Sequence, residues 1–313
     1  MRPHATTQVA EAVANYLVRT WDELVEVWPL ALAGDAEGMR RVRVASRRLR
    51  AALAVAEAAI EPDGARGLVR RLRAIARRLR PARDLAVARA LVADEIVDHP
   101  EDAARLEAMR VELGRRERQA QDDLGSGQRR RDLRRLDKRL RSVVRDIRAS
   151  AAPVWMPTLS TVLMRRVREA RRVFDRCGAL YEPDQLHRLR IALKKLRYAL
   201  ELGAEAGLVS PALATTLVAH HRRLGAWHDR VVLEALAREA AAEHAAAGDH
   251  QIARVLARLE RDARHWHGRI RRSGPGLSRC LDAIRRPVAT AGPRPTMARS
   301  RLVDPHRANR RTA

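Results

Sequence analysis

The 313-residue sequence is poor in cysteine, in aromatic residues and in long apolar runs. Cys177 and Cys280 are its only cysteines, which excludes a disulfide framework and a cysteine-rich metal site. Aromatic residues make up 3% of the chain, which leaves few platforms for stacking the bases of single-stranded nucleic acid. No run of about 18 uncharged apolar residues occurs, and residues 1–7 lack the apolar core of a signal peptide. We therefore expect a cytoplasmic protein without a membrane span.

The sequence also contains fewer acidic than basic residues, 38 against 63, so the net charge is +25. Such a field attracts polyanions, whether nucleic acid, inorganic polyphosphate or an anionic membrane. Residues 287–313 carry six arginines against one aspartate, so most of the excess charge belongs to the rest of the chain. Only Lys138, Lys194 and Lys195 are lysines. Two of the three stand in one motif, which indicates that this motif uses them.

What the sequence has in abundance is Ala, Leu, Arg and Glu, the composition of helices. Runs of β-branched or aromatic residues that would indicate strands are missing. The composition therefore predicts an all-α fold.

A cationic helix motif occurs twice, at 40–53 and again, 147 positions later, at 187–200. At about 100° per residue, each copy places its apolar residues on one side and a row of cations on the other. The apolar stripe of the first copy is Val42, Ala45, Leu49, Ala52, Leu53 and Ala56, and that of the second is Leu189, Ala192, Leu196, Ala199 and Leu200. The cation rows are Arg40, Arg43, Arg47 and Arg50 in the first copy and His187, Arg190, Lys194 and Arg197 in the second.

A second internal match confirms the duplication at the level of sequence. The run Leu-Arg-Pro-Ala-Arg-Asp at 79–84 aligns with Leu-Gly-Ala-Trp-His-Asp at 224–229, at nearly the same offset. The prolines at 153 and 157 mark the boundary between a first helical half, about 7–152, and a second, about 153–286. In the second half we expect a helix capped by Asp184, helix ends near 229 and 273–276, and a disordered basic, Pro/Arg-rich tail at 287–313.

These residues resemble the CHAD family, an α-helical domain named for its conserved histidines. The second half matches the family motif in His187, Arg190, Lys194, Lys195, Leu196, Arg197, Leu224, Gly225 and Asp229, and the first half in Arg43, Arg47, Arg48, Leu49, Arg50, Arg83 and Asp84. Arg40 departs from the pattern because it replaces a family histidine, and Arg80 departs because it replaces a glycine. The resemblance covers essentially residues 7–286.

The resemblance implies two tandem four-helix bundles related by a pseudo-twofold, whose basic faces meet at a central cavity. It also implies non-catalytic binding of inorganic polyphosphate there, in some relatives at polyphosphate granules. The predicted polyphosphate-binding residues are Arg40, Arg43, Arg47, Arg48, Arg50, Arg77, His187, Arg190, Lys194, Lys195, Arg197 and Arg222. Arg48 and Lys195 point away from the main rows. A second row of arginines consists of Arg73, Arg77 and Arg80, spaced i, i+4 and i+7. Of these only Arg77 has a basic equivalent in the other half, Arg222, and these two are therefore included. We expect His187 to add a proton-dependent donor and so to dominate the pH response near neutrality.

Other chemistry finds little support in the sequence. Asp84 and Asp229 are expected at helix starts, where they either cap a helix or orient a ligand-facing arginine. The histidines lack the spacing of a metal site, and no phosphate-binding glycine loop, nucleophile motif or carboxylate pair stands beside the cation rows. We therefore expect no enzyme activity, no metal and no cofactor. Nonspecific binding of RNA or DNA backbones, aided by the basic tail, stays open as the alternative function.

Overall fold

The computed structural model describes residues 3–125, 130–150, 152–178, 181–245 and 250–291. Within these ranges the regular structure is helical throughout and no strand occurs, so the prediction of an all-α fold is confirmed. The α-helices are α1 (Pro3–Leu32), α2 (Ala36–Ile60), α3 (Ala65–Arg78), α4 (Arg80–Asp98), α5 (Ala103–Gly125), α6 (Arg130–Ala149), α7 (Trp155–Cys177), α8 (Pro183–Glu205), α9 (Ala212–Thr216), α10 (Val218–Ala245) and α11 (His250–Ala291). In the described ranges, no helix combines the length and apolar character needed to cross a membrane.

The two motif helices, α2 and α8, contact each other near the middle of the molecule. Helices α1 and α3 pack against α2, and α6 packs against α1 and α3, while α7 and α10 pack against α8. The apolar stripes predicted for both motif helices are buried, and Leu49 and Leu196 are completely inaccessible to solvent. Burial of each stripe against its neighbours leaves the opposite, cationic side facing the space between the helices. Two tandem bundles related by a pseudo-twofold stay a prediction.

Local contacts fix where α2 begins and how it sits. The Asp35 carboxylate accepts a hydrogen bond from the backbone N–H of Gly38 at 2.7 Å and so caps the helix. The buried Ser46 hydroxyl donates to the carbonyl of Leu72 at 2.8 Å, which ties α2 to α3. These bonds set the rotation of the helix that carries the first cation row.

The helices α4, α5, α10 and α11 share a smaller apolar cluster apart from the main core. It includes Val92 of α4, Leu106 of α5, Leu233 of α10 and Leu259 of α11. Helices α4 and α10 therefore pack against each other, and this contact brings the two copies of the Asp motif together.

Several helix ends in the second half differ from the sequence prediction. Helix α8 begins at Pro183 with Glu182 at its N-cap position, so the expectation that Asp184 caps it is wrong. Helix α10 runs without interruption past Asp229, because Ala226 stands where the first half has a proline and keeps its backbone N–H. Asp229 therefore lies inside a helix and caps nothing.

Helix α11 continues through the predicted break at 273–276 and through Pro287 to Ala291. Residues 287–291 are thus helical, and the start predicted for the disordered tail is wrong. Residues 292–313 lie outside the described residues. A side chain at Gly274 of this helix would overlap the hydroxyl of Tyr181, which packs against it.

Candidate functional site

A cavity of about 460 Å³ opens between α2 and α8, with further walls from α3, α4, α7 and α10. Nine arginines and two lysines line it, against two carboxylates. One of the carboxylates, Glu57, is already bound by Arg66 outside the cavity. The lining cations are Arg40, Arg43, Arg47, Arg50, Arg73, Arg80, Arg83, Arg166, Arg190, Lys194 and Lys195.

Most of the site residues predicted from the sequence come together in this cavity. These are Arg40, Arg43, Arg47, Arg50, His187, Arg190, Lys194, Lys195 and Asp84. The helical period accounts for this, because residues three or four positions apart on α2 or α8 share one face. The cavity thus joins the two cation rows across the middle of the molecule.

Four predicted cations do not line the cavity. Arg77 and Arg222 are exposed, and their part in ligand binding stays a prediction. Arg48 and Arg197 line a second pocket, where both approach Glu201, at 2.9 and 3.2 Å.

The cavity also contains side chains that the sequence did not single out as site residues. Arg73 and Arg80 belong to the second basic row, but neither has a basic equivalent in the other half, so the sequence does not predict them as site residues. Arg166 comes from α7, which carries no motif, and His228 from the second Asp motif. His228 could have been predicted from its place in the motif at 224–229. Nothing in the sequence marks Arg166, whose position in the cavity depends on how α7 packs.

Arg83 joins the two copies of the Asp motif. Its Nη1 donates to Asp84 at 3.0 Å and lies 3.5 Å from a carboxylate oxygen of Asp229. The three side chains are each about one-fifth exposed. Of the two roles considered for the aspartates, the geometry favours orientation of a cavity arginine over helix capping.

At the edge of the cavity, cations are neutralised within the protein. Arg40 forms a bidentate pair with Glu37 at 2.5 Å. Arg166 and Lys195 both bind Glu169 at 2.7 Å. Such partly exposed pairs contribute little to stability and exchange partners readily.

Four other cations of the cavity, Arg43, Arg47, Arg50 and Lys194, have no carboxylate partner in the described part of the chain. Arg43 donates to the carbonyl of Ala76 at 2.6 Å, and Arg50 donates to the carbonyl of Ser46 at 3.1 Å. Neither Lys194 nor Arg47 forms a hydrogen bond or an ion pair within the described part of the chain.

Burial and mutual repulsion shift the proton affinities of this group. Burial and the surrounding arginines lower the pKa of Lys194 to about 6. The pKa values of Arg43, Arg50 and Arg190 fall to about 10 for the same reasons. Each shift means that the protein destabilises the charged form of the group. An anion that entered the cavity would reverse this effect.

The histidines respond in the same direction. The rings of His187 and His228 lie with their centroids 5.3 Å apart. Burial and nearby cations lower the pKa of His187 and bring that of His228 to about 3. Both rings are therefore neutral at pH 7 in the empty cavity, and they add hydrogen-bonding groups without adding charge.

Comparison with known proteins identifies the family of this chain. The family model for the CHAD domain matches residues 15–238. The chain belongs to the CHAD domain family. The crystal structure of the CHAD domain from the plant Ricinus communis superposes with a TM-score of 0.59 at 21% identity, covering 90% of this chain and 91% of that chain. PptA from Streptomyces chartreusis gives a TM-score of 0.56 at 19% identity, covering 90% of this chain and 98% of that one. At these identities the likeness shows the fold, and a search of curated proteins finds no match.

The CHAD family is associated with polyphosphate binding. The residues that carry its motif here account for both sides of the cavity, α2 contributing Arg43, Arg47 and Arg50 and α8 contributing Arg190 and Lys194. The replacement of a family histidine by Arg40 adds a permanent cation at the edge of the cavity.

The second pocket of this CHAD chain, about 650 Å³, differs in charge from the cavity. Three cations and three carboxylates line it and largely neutralise one another. Its charged residues are Arg19, Arg48, Arg197, Glu23, Glu201 and Glu205. This balance makes it a poor site for a polyanion.

Within the described residues, no group of three or more His, Cys, Asp or Glu side chains is arranged to hold a metal ion. Asp84, the carboxylate of the cavity that is not bound from outside, is hydrogen-bonded to Arg83. Of the two acidic groups of the cavity, Asp84 therefore binds cavity arginines and Glu57 binds Arg66 outside it.

Proposed function

We propose that this protein binds inorganic polyphosphate in the cavity between α2 and α8 and catalyses no reaction on it. The observation that carries this proposal is the group of half-buried basic side chains without acidic partners, above all Arg47 and Lys194. Basic groups crowded into one cavity disfavour each other's charged forms, so an anionic ligand is the natural partner.

Polyphosphate fits the cavity better than nucleic acid does. Each repeat of the polymer carries roughly one negative charge and no base, so a narrow cavity lined by guanidinium groups can surround it. Arginine forks bind phosphate oxygens with two parallel hydrogen bonds. Tyr198 is the one Phe, Trp or Tyr among the lining residues, and its ring is buried under the guanidinium of Arg197. Stacking of nucleic-acid bases has little support here.

The absence of catalysis is proposed on the same chemistry. Enzymes that cleave or transfer phosphoryl groups hold metal ions on carboxylates beside the phosphates. Asp84 and Glu57 are the acidic residues of the cavity, and each already binds an arginine. Turnover assays with and without Mg²⁺ test this part, and release of phosphate that depends on Lys194 would contradict it.

The test of binding is a competition between long-chain polyphosphate, RNA and duplex DNA at low and near-physiological salt. We expect polyphosphate to keep the tightest binding at higher salt, where nonspecific contacts to nucleic acid weaken steeply. The double variant Arg47→Glu/Lys194→Glu should weaken polyphosphate binding about 100-fold or more, because two charge-assisted contacts are lost.

A matched control makes the same charge change outside the cavity. Arg135 on α6 and Arg264 on α11 are both exposed and line no part of the cavity. The variant Arg135→Glu/Arg264→Glu should bind polyphosphate within a few-fold of the natural protein. If both double variants lose affinity equally, and all three polyanions weaken together with salt, the surface attracts polyanions nonspecifically and the proposal is wrong.

A third variant tests the exposed residues predicted from the sequence. Arg77→Glu/Arg222→Glu should resemble the control, because neither side chain lines the cavity. A loss as large as that of the cavity variant would extend the binding surface to α3 and α10.

Cellular location follows as part of the proposal. A protein that binds the polymer should collect at polyphosphate granules in the cytoplasm. A fluorescent fusion tests this, and the cavity variant should be diffuse where the control variant co-localises with the granules.

A further inference from the structure

Lys194 occupies an unusual place among the three lysines of the chain. Lys138 is exposed on α6, and Lys195 is exposed and paired with Glu169 at 2.7 Å. Lys194 and Lys195 both line the cavity, but Lys194 has no ion-pair partner in the described part of the chain. Lys138, which lies outside the cavity, and Lys195, whose charge is paired, therefore serve as two different internal controls for Lys194.

The charges that act most strongly on Lys194 are cationic: Arg43 and Arg47 on α2, Arg83 on α4 and Arg190 on α8. His187, His221 and His228 are neutral near pH 7, because burial and nearby cations lower their pKa values. The one carboxylate among the surrounding groups, Asp84, is hydrogen-bonded to Arg83. The groups that act most strongly on Lys194 therefore disfavour its ammonium form.

We propose that Lys194 is a site of covalent modification by small acyl phosphates, which transfer their acyl group to its Nζ atom. The inference rests on the proposed function, because the same arginines that bind polyphosphate would collect the phosphate group of the reagent. It goes beyond that function in assigning a reaction to one side chain of the cavity.

The reaction balances without a further reactant. The lone pair of the neutral amine forms a bond to the carbonyl carbon of the acyl phosphate. The bond from that carbon to the bridging oxygen breaks, and phosphate leaves with the electron pair. The proton lost by the nitrogen passes to the departing phosphate, which leaves as hydrogen phosphate. The cavity arginines stabilise the leaving group because they neutralise its growing charge.

The reactivity of Lys194 follows from two opposing effects. Its pKa falls from 10.5 to about 6, so near pH 7.5 the fraction of free amine is about 1000-fold that of an ordinary lysine. A less basic amine is also a weaker nucleophile. With a Brønsted slope like that of thiols, the fall in pKa lowers the rate constant of the free amine about 100-fold. The net expectation is about tenfold faster acylation than at an exposed lysine. Attraction of the anionic reagent into the cavity adds to this.

Acylation would feed back on binding. An amide nitrogen carries no charge, so the modified cavity loses a cation that bound polyphosphate would otherwise contact. The variant Lys194→Gln resembles the acylated side chain and should bind polyphosphate about tenfold more weakly than Lys194→Arg, in line with the loss of one charged hydrogen bond.

The experiment treats the full-length protein with acetyl phosphate at pH 7.5 and follows each lysine by tandem mass spectrometry. We expect Lys194 to be acetylated at least about tenfold faster than Lys138, and Lys195 to behave like Lys138. Added polyphosphate should slow the acetylation of Lys194 and leave that of Lys138 unchanged. An uncharged acetyl ester of N-hydroxysuccinimide should favour Lys194 less, because no phosphate brings it into the cavity.

The outcomes separate this inference from the function on which it rests. If the protein binds polyphosphate but Lys194 is acetylated no faster than Lys138, the modification site is wrong and the proposed function stands. If Lys194 is acetylated rapidly and polyphosphate neither binds nor protects it, the modification site stands and the proposed function is wrong. Equal selectivity for both reagents would overturn the role given to the arginines in collecting the phosphate group.

Discussion

Binding of polyphosphate should be accompanied by uptake of a proton at Lys194. In the empty cavity, burial and neighbouring arginines hold the pKa of this lysine at about 6. A bound phosphate chain places negative charge beside the amine and favours the ammonium form. The pKa should therefore return to near its ordinary value of 10.5 in the complex.

The magnitude follows from linkage between protonation and binding. Between pH 7 and 8.5 the free amine is mostly neutral and the bound one mostly charged, so nearly one proton is taken up per molecule bound. The affinity should then fall about tenfold for each pH unit, which corresponds to 1.36 kcal/mol. The sign is fixed by the lowered pKa of the free state, since affinity is highest on the acid side and is lost as the pH rises.

Other groups titrate outside this window. The pKa of His187 is lowered from 6.5 in the empty cavity, so its contribution belongs to more acidic solutions. Arg43, Arg50 and Arg190, with pKa values of about 10, lose protons only in more alkaline solutions. The internal phosphates of a long chain are ionised throughout, and its terminal groups are few.

Calorimetric titration at pH 8 in two buffers with different ionisation enthalpies measures the proton uptake directly. The variant Lys194→Arg keeps a permanent charge, so its uptake should approach zero and its affinity should vary little between pH 7 and 8.5. The variant His187→Ala is the control, since it should keep the uptake at pH 8.

An uptake at pH 8 that persists in Lys194→Arg would refute this reasoning, because a group other than the lysine would then take up the proton. The same data test the expectation drawn from the sequence that His187 dominates the pH response near neutrality. A His187→Ala variant that keeps the whole response, below pH 7 as well as above it, would overturn that expectation.

Two further predictions concern stability. Asp229→Asn removes one of the two carboxylates near Arg83 and should lower the free energy of unfolding of the unliganded protein by about 1 to 2 kcal/mol. Thermal melts with polyphosphate should show a smaller loss, because phosphate replaces the carboxylate. Equal losses with and without polyphosphate would contradict this. Gly274→Ala should lower the free energy of unfolding by about 1 to 3 kcal/mol because the new methyl group overlaps the Tyr181 hydroxyl. Gly276→Ala is its control, since its nearest neighbour lies 3.8 Å away and alanine favours the helix; similar melts for the two variants would show that the overlap has no cost.

The sequence could predict the two facing cation rows because helical period alone determines which side chains share a face. All four members of the α2 row line the cavity, from Arg40 to Arg50. Arg197, the last member of the α8 row, turns instead toward Glu201. The position equivalent to Glu201 in the first half is Ala54, which offers Arg50 no carboxylate. One unrepeated residue is enough to change where an arginine points.

The sequence could not predict which arginines of the second basic row line the cavity, because this depends on how α3 and α4 meet. The second row, Arg73, Arg77 and Arg80, is spaced as on one continuous helix, and only Arg77 has a basic equivalent in the other half, Arg222. In the structure α3 ends at Arg78 and α4 begins at Arg80, so the three side chains do not share one helix. Arg73 and Arg80 line the cavity, and Arg77 is exposed. Equivalence within a repeat is therefore a weaker guide than packing.

The cavity also explains why the two motif helices combine fully buried apolar stripes with so many like charges. Arg43, Arg47, Arg83 and Arg190 repel one another and favour separation of α2 from α8. The shared apolar core opposes that separation, because α1 and α7 each pack against both motif helices and bury apolar side chains from both. A polyanion that entered the cavity would release the free energy held in this repulsion, so under the proposed function part of the affinity would come from stability that the empty protein gives up. The packed core, and not the ligand, keeps the cations together.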